Sequence, residues 1–81
     1  MNLLYESMTR IQWGAWTIRV WRQFEAGDVV DNGDIHEVVE SEVRLAWAGD
    51  VVKRILKLDR VNAVELVDAS GNGTVVYKDW P

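Results

Sequence analysis

Hydrophobic and polar residues alternate through residues 14–24, which read GAWTIRVWRQF. The apolar positions of one parity are Trp16, Ile18, Val20 and Phe24. A period of two with β-branched and aromatic residues predicts a strand with one buried face. Arg19 and Trp21 have the opposite parity, so we expect their side chains to point away from the core.

A second alternating segment covers residues 39–47, VESEVRLAW, with its apolar residues at odd positions. Asn32-Gly33 lies between the two segments and is the strongest short-range signal for a two-residue hairpin turn. The predicted hairpin keeps both apolar sets on one face. Its cross-strand pairs are Ile18 with Trp47, Val20 with Leu45, Arg22 with Val43 and, on the outer face, Trp21 with Arg44.

A helix over residues 35–58 is the alternative for this region, because Asp34 and Glu37 resemble a capping box. Such a helix would be about 36 Å long, whereas a domain of this size has a radius of gyration of about 12 Å. Beyond Val39 the apolar positions also scatter around the helix. The pattern therefore favours the hairpin.

The rest of the chain predicts one helix and two more strands. Asp50 is a suitable N-cap, and apolar residues at helical spacing predict a helix that ends near Leu58 or Asp59. Residues 63–69 and 74–79 read as strands around Ser70-Gly71-Asn72-Gly73. We expect the register that pairs Leu66 with Tyr77 and Glu65 with Lys78, because turning at Asn72-Gly73 would place Leu66 against Asp79.

These elements predict an α+β fold: a single domain over residues 1–81 with a mostly antiparallel four-stranded sheet. The order is β-β-α-β-β, and one helix covers one face of the sheet. Residues 1–11 fit either a short strand or a helix. The expected core consists of Ile18, Val20, Leu45, Trp47, Ile55, Leu56 and Leu66.

Composition narrows the classes of function. The chain has no cysteine, which excludes thiolate chemistry. Its formal net charge of −4 has the wrong sign for direct binding to the phosphates of a nucleic acid. Residues 1–10 carry no secretion signal and no segment is long and apolar enough to span a membrane, so we expect a cytoplasmic protein. A domain of this size buries little surface and gains from association, so homo-oligomerisation is an open alternative.

The sequence contains no recognisable motif for catalysis or metal binding. His36 is the only histidine, which rules out the paired-histidine metal motifs. The segment from Asp28 to Asp34 resembles the start of a calcium loop, but Val30 and Val39 stand where oxygen ligands are required. No serine is accompanied by a base. We therefore expect a protein that is not an enzyme and needs no cofactor.

Acidic residues dominate residues 25–42, which contain seven acids and no Lys or Arg. We name this segment the acidic lobe; its acids are Glu25, Asp28, Asp31, Asp34, Glu37, Glu40 and Glu42. One interpretation is a charged edge that prevents aggregation. The other is a surface that steers the protein toward a basic patch on a partner.

Trp21 is the strongest candidate for a binding residue among the five tryptophans. Its outward parity permits either a cation-π contact with Arg44 or an anchor in an interface. A basic helix face, Lys53, Arg54, Lys57 and Arg60, is more typical of solvated charge. The predicted partner-binding set is Trp21, Arg19, Arg44, Asp28, Asp31, Asp34, Glu37 and Glu40.

The predicted function is a small acidic protein-binding domain, an inhibitor or adaptor that occupies a basic surface of another protein. The alternative is a homo-oligomer in which the helix-free sheet face around Trp21 and Arg44 closes on a copy and encloses a nucleotide-like ligand. The segments GDVVKRILKL and VNAVELVDASGNGTVVYKDW resemble, in layout and charge only, the small phage-encoded inhibitors of host RNA polymerase. That resemblance implies one helix beside a short antiparallel sheet and a negative patch, and carries over no residue.

Overall fold

The computed structural model of the protein describes residues 4–29, 31–41 and 48–77. Four strands and two helices follow one another in the order ββααββ. They are β1 (Leu4–Trp13), β2 (Trp16–Glu25), α1 (Gly33–Ser41), α2 (Ala48–Leu56), β3 (Val61–Val67) and β4 (Gly73–Tyr77). The strands form one antiparallel sheet in the order β1-β2-β3-β4. The predicted α+β class and the four-stranded sheet are confirmed, but there are two helices and not one.

The first hairpin joins β1 to β2 through Gly14 and Ala15, and Trp13 pairs with Trp16 across the turn. Gly14 has φ of 59°, which suits the first central position of a type II′ turn and which glycine adopts without steric penalty. The sequence allowed a strand or a helix for residues 1–11, and the described part of that segment, residues 4–11, lies in β1. The strand was hard to recognise because Leu4 and Tyr5 are adjacent hydrophobic residues that break the alternation.

The predicted pairing of residues 16–24 with residues 39–47 is wrong. β2 lies between β1 and β3, so both of its hydrogen-bonding edges are occupied. Val39 belongs to α1 and is buried. The other predicted partners, Val43, Arg44, Leu45 and Trp47, lie outside the described residues.

Asn32-Gly33 begins a helix and does not form a hairpin turn. The carbonyl oxygen of Asn32 accepts hydrogen bonds from the N–H groups of Ile35 and His36. The Asp31 carboxylate accepts from the Gly33 N–H at 2.9 Å. Asn and Gly occur both at helix N-caps and in tight turns, because both roles need backbone angles outside the helical region. Local sequence could not distinguish the two.

Two short helices replace the single long helix that was rejected. Ile35, Val38 and Val39 form the buried side of α1. Val51, Val52 and Ile55 are buried on α2, as the helical spacing predicted. The length argument against one 24-residue helix holds, but two helices of nine residues each satisfy both the compact size and the helical pattern.

The β3–β4 register differs from the predicted one by three residues. Tyr77 pairs with Ala63, and Leu66 pairs with Thr74. The cause is the turn: the Asp68 carboxylate accepts hydrogen bonds from the N–H groups of Ser70 and Asn72, at 2.9 and 3.0 Å. This side-chain bonding places the centre of the turn near residue 70, whereas counting Gly and Asn residues placed it later.

The core lies between the two helices and one face of the sheet. Ile18, Val20, Ile35, Val51, Ile55, Val61 and Val64 are fully buried there. Of the predicted core, Ile18, Val20 and Ile55 are confirmed, Leu56 and Leu66 pack against the cluster with partial exposure, and Leu45 and Trp47 lie outside the described residues. Neither described helix has the length and apolar character needed to cross a membrane.

Candidate binding face of the sheet

Neither of the described helices packs on one face of the sheet, and Trp21 lies near the centre of that face. Alternation places Ile18, Val20 and Phe24 toward the core, so the remaining positions of β2 face outward. The same alternation applies along the paired strands. We name this surface the Trp21 face. Its residues are Leu4, Glu6, Met8, Arg10 and Gln12 on β1; Thr17, Arg19, Trp21, Gln23 and Glu25 on β2; Ala63, Glu65 and Val67 on β3; and Gly73, Val75 and Tyr77 on β4.

An apolar row crosses all four strands of the Trp21 face. Met8 pairs with Trp21, Trp21 with Ala63, and Ala63 with Tyr77. Met8 is 48% exposed and Tyr77 is 73% exposed. Large hydrophobic side chains that are contiguous and exposed mark interaction surfaces more often than isolated ones do. The outward orientation predicted for Trp21 is confirmed, although its neighbours are Met8 and Ala63.

A charged row lies two residues further along the strands, on the same face. Arg19 donates to the Glu65 carboxylate at 3.1 Å, and these two residues are cross-strand partners. Arg10 is the other cross-strand partner of Arg19. Like charges directly opposite each other are unfavourable, and Arg10 forms no ion pair with any residue in the described ranges. Arg10 is therefore an exposed cation to which the described residues supply no carboxylate.

A shallow depression of about 390 Å³ opens on the Trp21 face. Its walls are formed by Glu6, Arg19, Trp21, Asn62, Ala63, Glu65, Val75 and Tyr77. Asn62 enters this surface through a β-bulge, where Arg22 pairs with Val61 and Trp21 with Ala63. Its amide donates to the Glu6 carboxylate at 3.3 Å. The depression thus has aromatic side chains in its walls, and its polar side chains are hydrogen-bonded to one another, Arg19 to Glu65 and Asn62 to Glu6.

Arg22 is a buried arginine that sequence reasoning did not single out. Its residue exposure is only 5%, and it lies on the core side of β2. Its guanidinium donates in a bidentate manner to Asp34. It also donates to the carbonyl oxygens of Asp59, at 2.9 Å, and Asp31, at 3.3 Å. One side chain therefore ties β2 to the start of α1 and to the segment after α2.

The ion pair between Arg22 and Asp34 shifts the pKa of both side chains. The hydrogen bonds from Arg22 lower the pKa of the Asp34 carboxyl, and the same bonds raise the pKa of Arg22. A signal was present in the sequence: Arg22 shares parity with Ile18, Val20 and Phe24. A charged residue at an inward position requires a buried counter-charge, and the acids that follow β2 can supply it.

Of the described acids in the acidic lobe, only Glu25 lies on the Trp21 face. Asp34 is bound by Arg22, and Asp28 forms an ion pair with Arg60. A hydrogen bond from the Glu25 N–H, together with Arg60, lowers the pKa of Asp28. Glu37 and Glu40 are exposed on α1, whose buried side packs on the opposite face of the sheet from Trp21.

The remaining candidates are separated in the same way. Asp31 is exposed, and its side chain is used at the start of α1. Arg19 shares the Trp21 face. Arg44 and Glu42 lie outside the described residues. Among the residues the structure describes, no three His, Asp or Glu side chains come together as a metal site. Whether the predicted set binds a partner stays a prediction.

No protein-family model, no curated protein and no solved structure matches this chain. The likeness to phage inhibitors in layout therefore has no support from comparison. The surfaces of the molecule are therefore the evidence that bears on its function.

Acidification should weaken the tie between Arg22 and Asp34. The folded-state pKa of Asp34 lies below its unfolded value of about 3.9, so its contribution to stability is present above that value and is lost as the pH falls through the folded pKa. We expect the thermal midpoint of the natural chain to exceed that of Asp34→Asn at neutral pH. The gap should shrink steadily below about pH 4. Because Asp28 is unchanged in both proteins, its own shift cancels in this comparison; a gap that stays constant under acid would contradict the assignment.

Proposed function

We propose that this protein is a protein-binding module that contacts its partner through the Trp21 face. The observation that supports this is the apolar row of Met8, Trp21, Ala63 and Tyr77, which crosses the whole sheet on the side that carries neither described helix. Met8 and Tyr77 are exposed, Trp21 is half-buried, and Ala63 is buried between its neighbours. The core is complete without this row, because the buried cluster lies on the opposite face. Exposed aromatic and methionine side chains with no role in the core fit a role in binding.

The composition of the Trp21 face suits a protein interface. Aromatic residues, Met and Arg are enriched at the centres of such interfaces, and polar residues form their rims. Here Trp21 is central, and Arg19 with Glu65 lies beside it. A sheet face of four strands is about 19 Å wide at a spacing of about 4.8 Å. That width allows a contact at the smaller end of the range for specific complexes.

The charge of the chain favours a basic partner. The net charge is −4, and Glu37 and Glu40 remain exposed on α1. These acids lie away from Trp21, so they add to the long-range field that attracts a basic protein without being part of the contact. Asp28 and Asp34 contribute less, because each faces an arginine of the same chain.

The alternative, a nucleotide-like ligand enclosed between copies, is less well supported and stays a prediction. The depression beside Trp21 is open to solvent. The guanidinium of Arg19, in the wall of the depression, already binds the Glu65 carboxylate at 3.1 Å. The phosphate of a nucleotide would therefore have to displace that carboxylate. Glu6 also lines the depression and would repel an anion.

Replacing Trp21 with Ala should remove most of the partner binding. Truncation of a central aromatic anchor weakens binding by about 2 kcal/mol or more, which is roughly thirty-fold in affinity. The experiment is an affinity capture from the native cell extract, quantified by mass spectrometry, with the natural chain and Trp21→Ala as parallel baits. We expect the Trp21→Ala bait to lose the main captured protein.

Val29→Ala is the matched control, since Val29 is an apolar residue that is 88% exposed and lies off the Trp21 face. This bait should capture the same protein as the natural chain. Tyr77→Ala, at the end of the apolar row, should weaken capture to an intermediate extent. A protein captured equally by all four baits would show that the contact lies elsewhere.

A further inference from the structure

The outer edge of β1 is the longest open strand edge in the described part of the chain. β1 has ten residues, Leu4–Trp13, and pairs with β2 along its whole length without a register shift. No described element pairs with its other edge. Proteins usually block such an edge with charged side chains, proline or a bulge. β1 contains no proline, lysine or bulge, and its two charged residues, Glu6 and Arg10, have opposite signs.

The backbone groups on this edge belong to the even-numbered residues. Trp13 and Trp16 flank a two-residue turn, so they exchange both hydrogen bonds of a close pair, and such pairs alternate along the hairpin. The odd residues of β1 therefore direct their N–H and C=O groups toward β2. Leu4, Glu6, Met8, Arg10 and Gln12 direct theirs away from the sheet.

A second copy of β1 is the strand that fits this edge. In an antiparallel pair centred on Met8, even residues face even residues, so about ten hydrogen bonds can form over residues 4–12. Glu6 then lies directly opposite Arg10 of the second copy, and by symmetry Arg10 lies opposite Glu6. On the core side, Ser7 meets Thr9 and Tyr5 meets Ile11. No like charges oppose each other.

Neighbouring registers with two-fold symmetry are less favourable. Centring the pair on Glu6 places two glutamates against each other, and centring it on Arg10 places two arginines together. The Met8 register is also the one that supplies a carboxylate to Arg10. Within one chain Arg10 faces Arg19 across the sheet and forms no ion pair with a described residue. Glu6 makes one hydrogen bond, from Asn62 at 3.3 Å.

We propose that the protein forms a two-fold homodimer in which two β1 strands pair antiparallel around Met8. The two sheets then become one continuous sheet, and both Trp21 faces lie on the same side. This dimer is independent of the protein-binding role proposed above, so either one can fail without the other. If both hold, the dimer presents two copies of the binding face side by side.

Complementary charge reversals test the register. We expect the 81-residue chain to sediment as a dimer at about 100 µM. Glu6→Arg and Arg10→Glu should each weaken self-association by about ten-fold or more, because each places like charges opposite each other twice. Mixed one to one, the two variants should form a heterodimer in native mass spectrometry, since every charge then meets its opposite. A monomeric natural chain, or a mixture that forms no heterodimer, would overturn the proposal.

A cysteine cross-link separates pairing at the edge from packing between faces. The chain has no cysteine, so Met8→Cys carries one thiol. Paired residues of this type have Cα atoms about 5.5 Å apart, which a disulfide can span. In the same dimer the two Trp21 positions are about 14 Å apart, three strand spacings. Met8→Cys should therefore oxidise to a covalent dimer while Trp21→Cys stays monomeric on a denaturing gel; the reverse result would establish face-to-face packing and overturn the edge pairing.

Discussion

Val20→Asp should abolish the cooperative unfolding transition of this domain. Val20 is fully buried, between Thr9 of β1 and Val64 of β3, and it contacts the cluster that both helices complete. An aspartate there would be a charge with no partner in an apolar environment, which costs roughly 4 kcal/mol or more. A domain of this length has about 4 to 12 kcal/mol in total. Thermal denaturation followed by circular dichroism should show no folded baseline, or a midpoint lowered by tens of degrees.

Gln23→Asp is the matched control for this substitution. Gln23 lies on the same strand but on the outer face, and its N–H group donates to the Arg60 carbonyl, which the substitution leaves intact. Its effect should stay below about 1 kcal/mol. Equal effects of Val20→Asp and Gln23→Asp would mean that the two faces of β2 have been assigned wrongly.

Arg22→Met should produce the second largest loss of stability, about 3 kcal/mol. Methionine fills a similar volume but leaves Asp34 without its cation and leaves the Asp31 and Asp59 carbonyl groups without their donor. The figure is at the lower end for a broken buried pair, because Asp34 is partly exposed and water can replace some of the lost bonds. Urea denaturation of both proteins at neutral pH measures the difference.

Arg22→Lys shows whether charge or geometry carries this contribution. A lysine keeps the positive charge but cannot bind both carboxylate oxygens of Asp34 and the Asp59 carbonyl together. We expect it to recover less than half of the stability that Arg22→Met loses. Full recovery would show that the network acts as a simple charge pair, and no loss in either variant would show that Arg22 is not required for the fold.

The Trp21 face was partly predictable. The outward direction of Trp21 follows from the alternation in β2, because successive side chains of a strand point to opposite faces whatever lies beside it. Its neighbours were not predictable, since the residues beside a strand depend on which strand pairs with it. Met8 came from a segment whose secondary structure was undecided, and the expected neighbour, Arg44, lies outside the described residues.

The acidic lobe shows the same limit for charge. Counting acids between residues 25 and 42 gives the correct sign for the charge of this region. It cannot show that Asp28 faces Arg60 or that Asp34 faces Arg22, because these arginines are 32 and 12 positions away along the chain. Two of the acids proposed for a partner are thus bound within the chain, which leaves Glu37 and Glu40 as the exposed acids of α1.

Local patterns in this chain were sufficient for the buried face of β2, the stripe on α2 and the α+β class, since each depends on the periodicity of consecutive residues. Strand order, the β3–β4 register and the role of Asn32-Gly33 required the folded chain. Each is a choice between structures of similar local energy, and it is decided by contacts that periodicity does not reveal. Two of these contacts are distant in sequence: β1 and β3 occupy the edges of β2, and Arg22 holds the start of α1 against the sheet. The third is local, because the Asp68 side chain bonds within its own turn.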